Sequence, residues 1–169
     1  PGHYDDSIID YTAFQKEVLV RSNAPHLAVL TKIDGGSTIL AVNVVGPAKL
    51  AFEGFVFNAE GSAGAPCTTR TAYKIHYETA SNIRFENNIV YGKNREPYCN
   101  DLLKINRSEP PHFPRNIRIR GNVLYNHPQV LGNDIIDAVR PGELEITENI
   151  FFSDLGVSAA QNFVTLKRE

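Results

Sequence analysis

Four segments of this chain copy one another, and that repetition limits the fold more than any other feature. Lys49 to Phe57 reads KLAFEGFVF, Asn82 to Val90 reads NIRFENNIV, Asn116 to Leu124 reads NIRIRGNVL, and Glu143 to Phe151 reads ELEITENIF. Each copy places an apolar residue second (Leu50, Ile83, Ile117, Leu144) and fourth (Phe52, Phe85, Ile119, Ile146), with charged or small residues between. A period of two marks a strand with one buried face. A turn-favouring Gly or Asn follows, then a second apolar run. The copies are offset by 33, 34 and 27 residues, and none contains a long stretch of period 3.6. A strand-rich unit of this size cannot bury its apolar face alone, whereas copies stacked along one axis share a core. A parallel β-helix does this, each coil laying its strands about 4.8 Å from those of the coil before.

The turn and the remaining strands follow from the same repeat. Asn88, Asn122 and Asn149 occupy one repeat position, where the first copy has Phe55. Asn tolerates the left-handed backbone region and stacked copies can hydrogen-bond along the axis, so turn chemistry explains them. A second strand is expected before each copy: Ile39 to Val45, Ala72 to Glu78, Asp101 to Ser108 and Asp134 to Arg140. Alignment stacks Val42, Ile75 and Ile136, joined by Ile105 if the Pro-rich stretch from Glu109 to Pro114 is a local insertion. Lys16 to Arg21 and His26 to Ile33 read as strands of earlier partial coils. Val157 to Glu169 fits either a short helix or a final strand. The expectation is one all-β domain over residues 1–169.

The 169 residues carry a net charge of −2, which argues against a nucleic-acid footprint. No apolar run reaches the roughly 20 residues of a membrane span. The sequence contains no Met, so residue 1 is read as following a removed segment. Cys67 and Cys99 are 32 residues apart, close to one repeat, which puts them roughly one above the other in a coil stack. The rise between coils suits a disulfide. A Cys67–Cys99 bridge is therefore expected in preference to two free thiols, and it implies an oxidising compartment. The expected location is secreted, periplasmic or cell-surface.

The repeats NIRFENNIVYG, NIRIRGNVLYN and ELEITENIFFS, with the opening PGHYDDSI, resemble the right-handed parallel β-helix proteins, the pectate-lyase-like superfamily that includes many polysaccharide lyases. The resemblance covers roughly residues 1 to 155. It implies that the chain starts after the usual capping helix, and that either other residues cap the ends or the chain is a truncated piece of a longer solenoid. The open ends would then meet further coils or another chain. The paired aspartates of the pectin-cleaving glycoside hydrolases and the clustered calcium-binding aspartates of the best-known pectate lyases are missing, so no exact substrate follows.

Solenoids bind extended ligands along a lateral surface. The outward positions of the second-strand row are Lys74 and His76, then Lys104 and Asn106, then Asp137, with Arg107 and Arg140 nearby. This mixture suits an acidic polysaccharide. β-Elimination of a uronate needs a base beside the carboxyl group and a cation to stabilise the developing negative charge. Lys104 is the candidate base, its pKa lowered by the neighbouring Lys74 and His76. His76 and Arg140 complete the catalytic set, with Arg140 or Arg107 clamping the carboxylate. Lys74, Asn106 and Arg107 are candidate substrate contacts. Asp101, Asp134 and Asp137, helped by Glu78, are candidate ligands for Ca2+. Each has a plainer reading: a solvated lysine, a surface histidine, and aspartates that close turns after Asn100 and Asn133. Asn106-Arg107-Ser108 is also a formal glycosylation sequon.

Three functions are consistent with these residues, and the polysaccharide lyase is the leading expectation. A lyase acting on an anionic polysaccharide requires Lys104, His76 and Asp137 to converge with perturbed protonation. A non-catalytic glycan-binding β-helix requires outward aromatic rings, for which Tyr77, Tyr91 and Tyr125 are candidates. A structural piece of a fibre or adhesin requires bare strand edges that demand a partner.

Overall fold

The computed structural model describes residues 3–4, 7–10, 14–31, 38–43, 47–58, 71–76, 81–94, 101–105, 114–128, 134–153 and 162–167. In chain order the strands are β1 (His3–Tyr4), β2 (Ser7–Asp10), β3 (Val18–Arg21), β4 (Val29–Thr31), β5 (Thr38–Asn43), β6 (Pro47–Glu53), β7 (Val56–Asn58), β8 (Thr71–His76) and β9 (Ser81–Glu86). They continue as β10 (Ile89–Asn94), β11 (Leu103–Ile105), β12 (Ile117–Arg120), β13 (Val123–Pro128), β14 (Ile136–Val139), β15 (Leu144–Thr147), β16 (Ile150–Ser153) and β17 (Val164–Lys167). No helix occurs among the described residues, and none is long and apolar enough to cross a membrane.

The strands fall into three parallel sheets, and the chain visits them in strict rotation. The first sheet runs β1-β4-β7-β10-β13-β16, the second β2-β5-β8-β11-β14-β17, and the third β3-β6-β9-β12-β15. Every strand therefore pairs with strands three places away in chain order. This all-β, all-parallel arrangement is compatible with a parallel β-helix.

The repeats set the register of the third sheet. Ile117 pairs with both Ile83 and Leu144, and Ile83 with Leu50. Phe52, Phe85, Ile119 and Ile146 make a second column in the same ladder. Ile83 and Phe85 are fully buried, and the Phe57 and Phe85 rings meet with centroids 5.1 Å apart. The members from the fourth copy, Leu144 and Ile146, are only partly buried.

The tight turn from the third sheet to the first uses two adjacent positions. Gly54, Asn87, Gly121 and Glu148 hold the left-handed conformation, with φ of 77°, 55°, 66° and 57°. The repeated Asn follows that residue and does not itself take the left-handed region. Gly121 suits its place, because a Cβ there would lie 2.6 Å from Asn87 Oδ1. Each following Asn then saturates the turn. Asn122 donates Nδ2–H to Phe85 O at 2.9 Å, and its Oδ1 accepts Asn88 N–H at 2.9 Å. Asn149 repeats the pattern one copy later, donating to Ile119 O and accepting Asn122 N–H, both at 2.9 Å. Asn88 Oδ1 accepts Phe55 N–H at 3.0 Å, so the copy that lacks Asn still joins the ladder. Asn88 and Asn122 are each 1 % exposed, so water cannot replace these bonds.

Two sequence expectations change. In the second sheet Val42, Ile75 and Ile105 share a column as expected, but Ala138 continues it, and Ile136 instead pairs with Leu103. The slip is two residues, which leaves the same face inward. The tail is a strand: β17 pairs with β14 through Ile136↔Val164 and Asp137↔Thr165.

Asn122→Ala removes a donor from Phe85 O and an acceptor from the Asn88 N–H, both buried in the preceding repeat. It should destabilise the fold by about 3 kcal/mol or more, since each orphaned buried group costs about 1–3 kcal/mol. Urea denaturation checks this, with exposed Arg120→Ala expected to change stability little.

Candidate functional site

The sequence-predicted row lies on the second sheet. Lys104 of β11 pairs in register with Lys74 of β8 on one side and Asp137 of β14 on the other. Alternation along β11 buries Leu103 and Ile105 in the core and sends Lys104 outward. Its Nζ donates to Asp101 Oδ2 at 2.9 Å and to Asp137 Oδ2 at 3.1 Å. Lys167 of β17 closes the group from the next repeat, with Nζ 2.9 Å from both oxygens of Asp137. The Asp137 side chain is 1 % exposed, while those of Lys104 and Lys167 are 23 % and 46 % exposed. A buried carboxylate thus sits beneath two lysines that reach solvent.

This arrangement reverses the expected protonation of Lys104. Burial works against its charge, but the hydrogen bonds and charges of Asp101 and Asp137 outweigh burial and raise its pKa above the ordinary lysine value. Burial likewise favours a neutral Asp137, yet hydrogen bonds from Lys167 and Lys104 and their charges hold its carboxyl below the usual aspartate range. The lowered lysine pKa expected from Lys74 and His76 is corrected accordingly: the described neighbours of Lys104 are acids, and it is held as a cation.

The candidate calcium aspartates are engaged by other partners. Asp101 uses one oxygen on Lys104 and the other on the Asp134 N–H, at 3.0 Å. Asp134 Oδ1 accepts Asn162 Nδ2–H at 3.1 Å, and both Asp137 oxygens face Lys167. Among the described residues no three acidic, His or Cys groups come close enough to hold a metal. The ammonium groups stand where a cation's charge would be needed.

The other candidates are placed less completely. Lys74 and His76 have described backbone in β8, where His76 pairs with Asn43, but their side chains lie outside the described residues. Asn106, Arg107, Glu78 and the Cys67–Cys99 pair lie outside them altogether. Arg140 follows β14 in a left-handed conformation, φ 45°, and donates its backbone N–H to Lys167 O at 3.0 Å, which extends the pairing of β14 with β17.

Two further outer surfaces stand out, one of them carrying the aromatic candidates Tyr91 and Tyr125. On the third sheet, Arg84 donates Nε–H to Glu17 at 3.1 Å, Arg118 donates to Glu145 at 2.8 Å, and Arg120 donates to Glu148 at 2.9 Å. On the first sheet, Tyr91, Tyr125 and Phe152 form one register row. They alternate with fully buried Val90 and Leu124, so they occupy the outer face. The Tyr125 and Phe152 rings stack with centroids 5.1 Å apart and an interplanar angle of 29°. Tyr77 lies outside the described residues.

No protein-family model, no curated protein and no solved structure matches this chain.

The ion-pair group sets a pH profile. Asp137 has a lowered folded pKa, so its contribution is present above about pH 4 and is lost as pH falls through the folded value. Lys104 has a raised folded pKa, so its contribution is present below about pH 10 and is lost as pH rises beyond that. Asp137→Asn should remove about 2 kcal/mol at neutral pH, between the values for exposed and buried pairs, because both lysines reach solvent. It should also flatten the acid limb; denaturation from pH 2 to pH 8 checks both effects.

Proposed function

We propose that this chain is a right-handed parallel β-helix of the pectate-lyase-like kind that binds an extended, uronate-containing polysaccharide along its lateral surface, as a secreted, periplasmic or cell-surface protein. The rotation of the strands through three parallel sheets supports the architecture. The observation that carries the binding reading is the outer aromatic row Tyr91, Tyr125 and Phe152, with Phe152 58 % exposed. Its members recur once per repeat, and the stacked Tyr125 and Phe152 rings make a continuous apolar strip on the outer face against which the C–H-rich side of a sugar chain can pack.

β-Elimination is the second reading, and one observation favours it: Lys104 and Asp137 share the predicted row and both have perturbed protonation. The direction of the perturbation favours binding over cleavage. A base must accept a proton, and an ammonium clasped by two carboxylates has none of the capacity needed at neutral pH. In the lyase reading Asp101 or Asp137 must first give up Lys104, with His76 and Arg140 assisting and Ca2+ supplied from solution. The apolar residues exposed on the last repeat, Ile150, Phe152 and Leu166, support the further proposal that additional coils or another chain continues the stack.

A panel of uronate polysaccharides and oligosaccharides, with and without calcium, separates the readings. The expected result is binding without the ultraviolet absorbance of an unsaturated product, and affinity roughly tenfold weaker in Tyr125→Ala, about 1.4 kcal/mol. Unsaturated product that disappears in Lys104→Ala would establish elimination instead. Wild-type affinity in both Tyr125→Ala and Phe152→Ala would remove the aromatic row from the account.

A further inference from the structure

The third sheet is one strand short of the other two at one end of the stack. Among the described residues the first and second sheets each hold six strands and end in β16 and β17, while the third holds five and ends in β15. The sixth cycle therefore leaves a step one strand wide beside β15. Leu144 and Ile146 face inward at this step and are only partly buried, whereas their register partners Ile117 and Ile119 are 2 % and 1 % exposed. Leu166 of β17 continues the inward column of buried Ala138, yet it is 60 % exposed.

The repeat defines the strand that completes this cycle. In the third cycle, Phe85 of β9 packs on Phe57 of β7. Phe151 of β16 holds the register position of Phe57 and is only partly buried. The asparagine ladder also has a next rung. Asn122 engages the Asn88 N–H and the Phe85 carbonyl, and Asn149 engages the Asn122 N–H and the Ile119 carbonyl. The corresponding groups of the last copy are the Asn149 N–H and the Ile146 carbonyl, and among the described residues no third-sheet strand lies beyond β15 to engage them. The residue before the Asn is left-handed in all four copies, which suits Gly. On the outer face Glu145 is 45 % exposed and bonds to Arg118 of the preceding copy. A strand added on its other side meets the same carboxylate, and directly opposed charges stabilise a pair when opposite and destabilise it when alike.

We propose that this step is a docking site for one extended strand of another polypeptide, added parallel to β15, with the pattern apolar-basic-apolar-basic-Gly-Asn. The proposal rests on the reading that another chain continues the stack, and it is independent of any saccharide. Main-chain bonds to the bare edge of β15 give such a strand its affinity, and its side chains give it specificity. Its apolar residues cover Leu144 and Ile146, its first basic residue opposes Glu145, and its Asn supplies the next rung. A whole further copy does not bring β3 into the step, because its β1 and β2 would claim the places that β16 and β17 hold.

Titration with the peptide NIRIRGNVLYN, which has the sequence of residues 116–126, tests the site by fluorescence anisotropy and by amide chemical shifts. One-to-one binding is expected, with shifts centred on Leu144 to Asn149. The same peptide with Ala in place of the Asn after its Gly should bind about tenfold more weakly. The peptide ELEITENIFFS should also bind more weakly, because its second Glu meets Glu145. Glu145→Lys should reverse that preference, which mere loss of structure does not do. Arg21→Glu, on the opposite edge strand β3, should leave affinity unchanged. Equal binding of the Asn and Ala peptides, or shifts centred on β3, would overturn the proposal. If no peptide binds while sedimentation shows the chain associating end to end, strand docking fails and the continued stack stands. If no peptide binds and the chain sediments as a monomer, both fail.

Discussion

The buried asparagine ladder is the constraint on which the rest of the structure depends. A turn that passes through the core between two parallel sheets leaves backbone groups that neither sheet can pair. Asn88, Asn122 and Asn149 each donate Nδ2–H to a carbonyl and accept an N–H, both on the preceding repeat, so each residue satisfies groups it does not own. The left-handed residue before each of them makes the bend, and the Asn makes the bend dry. Because each bond reaches into an adjacent copy, the ladder fixes how repeats stack and at what register. Phe55 takes the first position, contributes only its N–H, and sets its ring against Phe57.

With the register fixed, chemistry on the outside becomes a set of rows. The second sheet gathers Lys104, Asp101, Asp137 and Lys167 into a group whose charges balance internally. Balance is what stops Lys104 from acting as a free base: burial alone lowers its pKa, and the two carboxylates more than reverse that. The first sheet's outer row is aromatic, and the third sheet's is an alternation of guanidinium and carboxylate. Three faces with three characters follow from one cycle of strands, because each outward position repeats with its own sheet.

The third sheet was legible in the sequence because four copies carry both the period of two and the shared turn. Leu50, Ile83, Ile117 and Leu144 could be stacked without structural knowledge, and they pair as read. The second sheet was legible only in its facing. Ile136 and Ala138 both point inward, so a slip of two residues leaves no trace in the apolar pattern, and the Pro-rich stretch before β12 hides the true spacing. Lys167 escaped notice because the tail shares no motif with the repeats, although VTLK does alternate. The charge state of Lys104 was misread because the residues weighed were those of the preceding repeat, Lys74 and His76. The decisive partners were Asp101, three positions earlier, and Asp137, one repeat later.

The stacking itself can be tested without reference to any ligand. In a uniformly labelled sample, nuclear Overhauser contacts between backbone amides and α-protons report which strands are neighbours. Contacts linking Ile117 to both Ile83 and Leu144, with the Asn122 side-chain amide close to Phe85 and Asn149, are the predicted result. Contacts that instead join strands adjacent in sequence, such as β12 with β13, would contradict the account at its foundation.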